Sequence, residues 1–449
     1  MEIKKALGGM FDAVKKAAEV VVPALNPVPT AIAKKVTDQF TPAPAGPVTP
    51  PSPPPPADRL ANSGLVNEQK AKLQSALDGK AGAPAKVVAE AAMAQASTLP
   101  KEQATKLLNV AAMNPGGPEG ASLQKVFTSP TWLKSTPEQK GQILNVAATA
   151  SPKGLDALAT LAQNQKLTST DSKGGTLLSN LSTMSSQPLA PDLSFNTPGA
   201  PTRQSLLDGV LMETADPGLN CRQSTKDTCT VTTAQYELAN RQPAEYARLM
   251  TGLTGPNGQA TMAGGKKLSL DDEDIARPAN SSDTRSDSSR LFQSAAMEFA
   301  NGTENYDGLK DKNFKIDRNG DNVGKGRGGI KENEEVLLNQ QLFNEPKMNW
   351  YPMKGNEQRF VDALSANPNN KPIVLNMDIG KDVGVQKAGH AVSFVKVENG
   401  RVYFRNPDAN ASGKSNVPGA RVEDAAKGID SMSVEDFKKR CNNIAATIE

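Results

Sequence analysis

The sequence predicts an α+β fold, in which an all-helical region is followed by a region that combines helices with an antiparallel sheet. Three observations lead to this prediction. Residues 62–193 are rich in Ala, Leu, Gln and Lys at helical spacing, with Pro and Gly where helices should end. After about residue 200 the first convincing strands occur. Two of these strands are joined through Asn399-Gly400, the dipeptide most typical of a tight hairpin.

Composition narrows the classes of function. The 51 Lys and Arg residues against 48 Asp and Glu residues give a formal charge of +3, which is too balanced for a protein that blankets nucleic-acid phosphates. No run approaches the roughly 18 to 20 apolar residues of a membrane-spanning helix, so we expect a soluble protein without a transmembrane segment. Three cysteines without a Cys-x-x-Cys pair argue against a disulfide framework and a zinc ribbon.

Residues 1–40 are predicted to form an amphipathic helical arm. Apolar residues at alternating spacings of four and three make one stripe through residues 3–25. The stripe would pack on the rest of the protein or on another copy, or contact a membrane surface or a partner helix. Asp12 and the following lysines interrupt the apolar run, which argues against a classical signal peptide. We therefore expect any export to use a non-classical or specialised secretion route.

A proline-rich linker and a helical repeat follow. Nine of the seventeen residues in 41–57 are proline, which predicts a semi-rigid polyproline II spacer and a domain boundary. We predict an all-helical domain at 58–195, because the segment 102–112 recurs at 138–148, where Leu-Leu-Asn-Val-Ala-Ala becomes Ile-Leu-Asn-Val-Ala-Ala. Thr136-Pro137-Glu138-Gln139 fits the start of a helix. Stacked helix pairs of this kind usually mediate binding.

Residues 200–449 are predicted to be the region in which the chemistry takes place. We predict helices at 230–240, 244–253, 290–300, 357–365 and 434–443. Strands are predicted at 372–379, 390–397 and 401–405. The Ser and Asp cluster at 280–289 predicts a flexible excursion.

Four residues in this region form a chemically suggestive set. Cys229 stands at the start of a predicted helix, where the helix dipole and free backbone N–H groups favour a thiolate. His390, the one histidine of the chain, stands at the mouth of a predicted strand, where a loop-exposed imidazole could reach a substrate. Gln223, six residues before Cys229, offers an N–H that could complete an oxyanion hole with the Cys229 amide. Asn406 follows His390 by sixteen residues, on the returning limb of the hairpin.

This order and spacing resemble the papain-like cysteine peptidase superfamily, and in particular its bacterial branch of bacteriocin-processing peptidases and avirulence-type effectors. The resemblance covers residues 200–449. It implies a papain-like domain, in which a helix bearing the cysteine packs on an antiparallel sheet bearing histidine and asparagine. It also implies roles: Cys229 as nucleophile, His390 as general base and then acid, Asn406 as the residue that orients the imidazole, and Gln223 as oxyanion donor. The plant-type Cys-Gly-Ser-Cys-Trp motif is absent around Cys229 and no glycine directly follows it, which leaves amidase, acyl-transfer and transpeptidase chemistry open in place of proteolysis.

Alternatives remain for two of these roles. A regular hairpin through Asn399-Gly400 would place Asn406 opposite Ser393 and bring Asp408 nearer to His390, so Asp408 is a rival unless a bulge or a larger turn intervenes. Cys221 is a rival nucleophile, and a disulfide between Cys221 and Cys229 is a further alternative. The third cysteine, Cys441, lies in the predicted helix 434–443 and is expected to be buried and structural.

A calcium site is a separate hypothesis. Asp317, Asn319 and Asp321 supply alternating oxygen ligands as an EF-hand loop does, and Glu334 follows Ile330 at the spacing of the last two anchors of that loop. Extra residues between the two parts interrupt the pattern, and a solvated turn is the alternative. Calcium would be structural, and no cofactor is expected for the reaction itself.

The sequence therefore predicts a thiol hydrolase that cleaves peptide or amide bonds through an acyl-enzyme, acting on a protein or peptide. A secreted bacterial effector or toxin is the setting that the resemblance implies. The competing hypothesis is a catalytically inactive papain-like scaffold whose helical domain mediates protein–protein interaction.

Overall fold

A computed structural model describes residues 60–447. Within that range it leaves out 61–62, 98–100, 114–116, 194–198, 271–281, 320, 367–370, 380–388 and 409–413. The predicted amphipathic arm (1–40) and the proline-rich linker (41–57) lie outside the described residues. Among the helices that are described, none is long and apolar enough to cross a membrane.

The first part of the described chain is helical, as predicted. Its helices are α1 (Asn67–Leu77), α2 (Ala83–Ala96), α3 (Lys101–Met113), α4 (Pro118–Phe127), the short α5 (Pro130–Lys134), α6 (Pro137–Thr149), α7 (Pro152–Gln163), α8 (Leu177–Met184) and α9 (Arg203–Ala215). Proline at the first turn begins several of them, because its missing N–H costs nothing there. Helix α6 begins as predicted: Thr136 Oγ1 accepts from the Gln139 N–H at 3.3 Å, and Gln139 Oε1 accepts from the Thr136 N–H at 2.9 Å.

The predicted repeat corresponds to stacked helix pairs. Its two copies lie in α3 and α6, which pack directly against each other. The partner helices α4 and α7 also pack together, and the same arrangement continues to α1 and α2 on one side and to α8 and α9 on the other. The described residues thus contain four stacked pairs in two layers, twice the number that the sequence repeat indicates. Each pair buries the apolar face of its neighbour, as in other helical repeats.

The rest of the chain combines helices with a sheet, which confirms the predicted α+β class. The further helices are α10 (Pro217–Asn220), α11 (Cys229–Arg241), α12 (Pro243–Thr254), α13 (Asp287–Asn301), α14 (Glu332–Phe343), α15 (Glu357–Ala366) and α16 (Val434–Arg440). The strands are β1 (Gln259–Thr261), β2 (Lys267–Ser269), β3 (Glu304–Asp307), β4 (Lys312–Lys315), β5 (Asn349–Pro352), β6 (Val374–Asp378), β7 (Gly389–Glu398), β8 (Arg401–Arg405), β9 (Arg421–Asp424), β10 (Ile429–Ser433) and β11 (Cys441–Ala446).

Seven of these strands form one antiparallel sheet in the order β5-β11-β6-β7-β8-β10-β9. The predicted hairpin joins β7 and β8. Asn399 and Gly400 have φ angles of 51° and 70°, the left-handed pair that a two-residue type I′ turn requires. Helix α11 packs on β7, and it is buried along most of its surface because α12, α13 and α14 also surround it.

Two local predictions were wrong. The helix predicted at 434–443 ends at Arg440, and Cys441 begins strand β11, which is hydrogen-bonded between β5 and β6. Asn442 and Asn443 are poor helix formers, and the open edges of two strands provide stronger partners than a further helical turn. Cys441 is nevertheless buried, as predicted.

The Ser and Asp cluster is the second wrong prediction. The described part of this cluster is packed into the protein and does not form a flexible loop. Four of its residues are buried: Asp283, Arg285, Ser288 and Ser289. Helix α13 begins within the cluster, at Asp287. Their hydroxyls and charges are satisfied by other buried polar groups, a partnership that local composition does not reveal.

The hydrophobic core crosses the predicted boundary between the helical domain (58–195) and the second domain (200–449). One cluster of buried apolar residues extends from Leu60 to Phe343 and includes both the repeat helices and α11 to α14. A second cluster lies between the sheet and helices α15 and α16. Helix α9 contacts α7 of the repeat and α13 of the second region, so it belongs to both.

Candidate active site

Cys229 is the first residue of α11 and is half-buried. Thr228 occupies the N-cap position, but its side chain accepts no hydrogen bond from the first turn. The first N–H groups of a helix have no partner within the helix. The amide of Cys229 therefore stands at an uncapped, electropositive helix end, an environment that favours a thiolate.

His390 is the second residue of β7, where it pairs with Met377 of β6. This position at the start of a strand agrees with the prediction from the sequence. The expected loop exposure was wrong, since His390 is only 4% exposed. Helix α11 packs on β7, and its Thr233 Oγ1 donates to the carbonyl of Ala391, the residue after His390, at 3.1 Å. The thiol of Cys229 and the imidazole of His390 are close enough for each to shift the pKa of the other.

A β-bulge in the β7–β8 hairpin decides which residue meets His390. Without it, Asn406 would lie opposite Ser393, on the other face of the strand pair from His390. The pairing shifts by one residue between Phe394 and Lys396. Because side chains alternate between faces, this shift carries Asn406 to the face that holds His390. The role predicted for Asn406 depends on such a bulge, and the structure contains it.

Asn406 contacts the imidazole directly. Its Oδ1 lies 2.8 Å from His390 Nε2 and accepts the backbone N–H of Asp408 at 3.0 Å. Its Nδ2 donates to Asn416 Oδ1 at 2.8 Å and to Asp430 Oδ2 at 2.9 Å. A backbone N–H can only donate and a carboxylate only accepts, so both ends of the amide are oriented. His390 Nε2 therefore bears the hydrogen, and Nδ1 is the nitrogen that remains for the thiol.

Asp408, the rival to Asn406, has a different position. Its carboxylate accepts from Asn416 Nδ2 at 2.8 Å, and its backbone N–H supports Asn406. Its negative charge acts on His390 through space. Asp408 thus supports the histidine and its partner, while Asn406 makes the hydrogen bond.

The electrostatics of the pair favour separated charges. Burial tends to raise the pKa of the Cys229 thiol, but the hydrogen bond and positive charge of His390 outweigh it. The backbone amide of Ala391 and the hydroxyl of Thr230 act in the same direction, so the pKa of Cys229 lies below its ordinary value.

The imidazole responds in the opposite sense. Burial tends to lower the pKa of His390, whereas its hydrogen bond to Cys229 and the charge there raise it. The hydrogen bond to Asn406 and the charge of Asp408 add to this effect, so the pKa of His390 is raised overall. A lowered thiol pKa and a raised imidazole pKa together favour a thiolate–imidazolium pair.

Gln223 lies in the loop that leads from α10 to Cys229. Its backbone N–H donates to the carbonyl of Pro407 at 3.2 Å, which ties this loop to the residue that follows Asn406. Its side-chain Oε1 is buried and has no hydrogen-bond partner among the described residues. All four predicted residues thus belong to connected parts of one site, although Gln223 is connected through its backbone.

The other two cysteines are placed differently. All three thiols are free, so Cys221 and Cys229 form no disulfide. Cys221 is fully buried, and burial raises its pKa well above the ordinary value. Burial also raises the pKa of Cys441. A buried thiol with a raised pKa is a poor nucleophile, which leaves Cys229 as the reactive candidate.

The structure does not assemble the hypothetical calcium ligands. Asp317 Oδ1 accepts the backbone N–H groups of Asn319 at 2.8 Å and Asp321 at 3.0 Å, which makes a local turn. The carboxylate of Glu334 is bound by Arg327 at 2.9 and 3.0 Å. Across the described part of the chain, no group of three or more His, Cys, Asp or Glu side chains is arranged to hold a metal. The calcium site stays a prediction.

Two supporting residues escaped the sequence analysis. Asp430 lies in β10 and Asn416 in the loop before β9, and both bind the amide of Asn406. Neither lies in a motif or in an element that the sequence predicts. Their contribution arises from the pairing of β10 with β8, which no local pattern signals.

No family model matches the chain, and no curated protein matches it either. Any functional conclusion therefore depends on the geometry of the site.

Proposed function

We propose that this chain is a thiol hydrolase that cleaves peptide or amide bonds through an acyl-enzyme on Cys229. The observation that supports it best is the oriented pair of His390 and Asn406, joined at 2.8 Å, together with the mutual electrostatic effect of His390 and Cys229. A nucleophile, a base and a group that orients the base are the minimum set for covalent catalysis. The proposed substrate is a protein or peptide.

The reaction follows from the assigned hydrogen positions. His390 Nδ1 takes the proton of Cys229 Sγ, and the thiolate attacks the carbonyl carbon of the scissile bond. The tetrahedral intermediate collapses when the imidazolium gives that proton to the leaving amine, and the C–N bond breaks. Water then attacks the thioester, His390 Nδ1 accepts one of its protons, and that proton returns to sulfur as the acid leaves. Asn406 keeps the imidazole in one orientation throughout.

Two groups would stabilise the oxyanion. The N–H of Cys229 has no partner within its helix, and it lies at the positive end of the helix dipole. The side chain of Gln223 is the second candidate donor, because its loop is bound beside Asn406. Backbone and side-chain donors of this kind act where charge develops in the transition state.

The arrangement supports the proposed relationship to papain-like cysteine peptidases. The cysteine begins a helix that packs on β7, the histidine lies in β7, and the asparagine directly follows β8, the neighbouring strand of the antiparallel sheet. Because fold alone does not establish activity, the proposal depends on the reactivity of Cys229.

The first test is the rate at which iodoacetamide alkylates each cysteine between about pH 4 and pH 9, read by peptide mass. We expect Cys229 to react fast well below the ordinary thiol pKa of about 8.5, because its thiolate is paired with the imidazolium. His390→Ala should move the reactivity of Cys229 toward that of an ordinary thiol. Cys221 and Cys441 serve as internal controls and should react only after unfolding. Equal and slow alkylation of all three cysteines would favour the inactive scaffold.

A further inference from the structure

The loop between Gln223 and Cys229 is held at both ends by one buried amide. Gln293 lies in α13 and is 0% exposed. Its Nε2 donates to the carbonyl of Arg222 at 3.0 Å, before the loop, and its Oε1 accepts the hydroxyl of Thr228 at 2.9 Å, after the loop. A single side chain thus binds the residue before Gln223 and the residue before Cys229.

The amide of Gln293 is itself oriented by two further contacts. Its Oε1 also accepts from Arg285 Nη1 at 2.9 Å, and its Nε2 also donates to Gln235 Oε1 at 2.8 Å. Arg285 is in turn held by buried Asp283 at 2.7 Å. A fully satisfied buried network is rigid, because every alternative leaves a polar group unpaired.

The loop needs such external support. Ser224 has a φ angle of 56°, a left-handed conformation that residues other than glycine seldom adopt. Backbone strain of this kind persists only where the surroundings enforce it, and it is concentrated at functional sites.

The contact with Thr228 also affects the helix that bears the nucleophile. Threonine at an N-cap normally uses its hydroxyl oxygen to bind the N–H groups of the first turn. Here the hydroxyl is engaged by Gln293, and the backbone of Thr228, with φ −103° and ψ 24°, departs from the extended geometry typical of a cap. The N–H groups at the start of α11 are therefore left without a side-chain cap.

We propose that Gln293 is a positioning residue for the oxyanion site: it fixes the loop 223–228 at both ends and keeps the N-terminus of α11 uncapped beside the nucleophile. The inference rests on the proposed thiol hydrolase function and extends it to a residue that does not touch the substrate. Glutamine suits this role because one planar group both accepts from Thr228 and donates to Arg222.

The test compares the whole chain with Gln293→Met, which keeps the shape of the side chain and removes both polar functions. The acyl donor is p-nitrophenyl acetate, whose burst of p-nitrophenolate reports acyl-enzyme formation. We expect the burst rate to fall about 10- to 100-fold with little change in KM, because displaced oxyanion donors act on the transition state. The pH profile of Cys229 alkylation should stay as in the wild type, since His390 and Asn406 are untouched.

Conservative and matched variants sharpen the test. Thr228→Ser keeps the hydroxyl and should retain the wild-type burst, whereas Thr228→Val should resemble Gln293→Met. Gln358→Met, at an exposed glutamine of α15, should have no effect. A burst rate for Gln293→Met within about twofold of the wild type would overturn the inference. So would a joint change of burst rate and alkylation profile, which would indicate a general structural role.

Failure of the proposed function would look different. It would show in the wild type, as the lack of both a burst and a fast-reacting Cys229. Hydrogen exchange of the amides in 222–228 then decides whether Gln293 holds the loop. Faster exchange in Gln293→Met supports the positioning role, and unchanged exchange refutes it.

Discussion

Single residues orient His390 in the candidate site, and in the proposed reaction they set the direction of proton transfer. The amide of Asn406 is oriented by the backbone N–H of Asp408 and by the carboxylate of Asp430. That orientation makes His390 Nε2 the donor and leaves Nδ1 for the thiol. The contacts of Asn406 thus determine which tautomer of His390 faces the proposed nucleophile, Cys229.

Asn406→Ala provides a prediction at this scale. The hydrogen bond from His390 to Asn406 raises the imidazole pKa, so its loss should lower that pKa. The activity of a thiolate–imidazolium pair rises with pH as the thiolate forms and falls as the imidazolium loses its proton. We therefore expect a lower maximal rate, with the alkaline limb of the pH–rate profile moved to lower pH.

Asp408→Asn is the matched control for Asn406→Ala. It removes a charge that acts on His390 but leaves the Asn406 hydrogen bond in place, so it should move the same limb less and retain more activity. An alkaline limb that stays in place in Asn406→Ala would contradict the assigned orientation of the imidazole.

At the scale of elements, the contact between α14 and the sheet buries a carboxyl group. Glu335 is 2% exposed, and its Oε2 accepts from Asn376 Nδ2 of β6 at 3.0 Å. Its Oε1 has no hydrogen-bond partner among the described residues. Burial raises the pKa of Glu335 to about 7, the hydrogen bond from Asn376 opposes this, and the charge of Glu332 adds to it. The packing of α14 on the sheet should therefore depend on pH.

Proton linkage gives the direction in which the stability of the fold changes with pH. Because the folded state holds this proton more tightly than an unfolded chain with a pKa of 4.5, the free energy of unfolding should fall as pH rises from about 4.5 to about 7. The contribution is on the order of 3 kcal/mol, at about 1.4 kcal/mol per pH unit. Glu335→Gln should lose this dependence, and unfolding midpoints at about pH 5 and pH 8 measure it. Parallel shifts in both proteins would refute the prediction.

At the scale of the whole molecule, the helical repeat and the site-bearing region share their interior. Helix α9 contacts α7 on one side and α13 on the other. Its Glu213 is fully buried. The Glu213 carboxylate accepts hydrogen bonds from the hydroxyl groups of Tyr246 at 2.5 Å, Ser288 at 2.8 Å and Ser289 at 2.7 Å. These serines belong to the helix that also holds Gln293, so the stacked pairs support the element that braces the candidate site.

A truncation tests this shared interior. The fragment 200–449 keeps α13 but lacks α7 and the other repeat helices that pack on α9, so part of the apolar surface around its fully buried residues Leu206, Leu207, Val210 and Leu211 would face water. We expect this fragment to aggregate or to unfold well below the temperature of a chain that begins at residue 60. Thermal unfolding and the alkylation rate of Cys229, measured on both, decide the question. A fragment as stable and as reactive as the longer chain would establish an independent domain.

Local sequence determined the elements and the list of candidates. Helix starts, the repeat in α3 and α6, the Asn399-Gly400 turn and a cysteine at the start of α11 all depend on interactions between near neighbours, which periodicity and turn chemistry express directly. The order of Gln223, Cys229, His390 and Asn406 could be read in the same way.

Only the tertiary structure decided how these parts meet. The bulge at 394–396 selects Asn406, the strand at 441–446 replaces a predicted helix, and Gln293 reaches a loop some seventy residues away. Each outcome depends on a pairing partner or a buried neighbour that is distant in sequence. At these points the free energy of strand pairing and side-chain burial exceeds the local preference for helix or strand. That free energy depends on the whole fold.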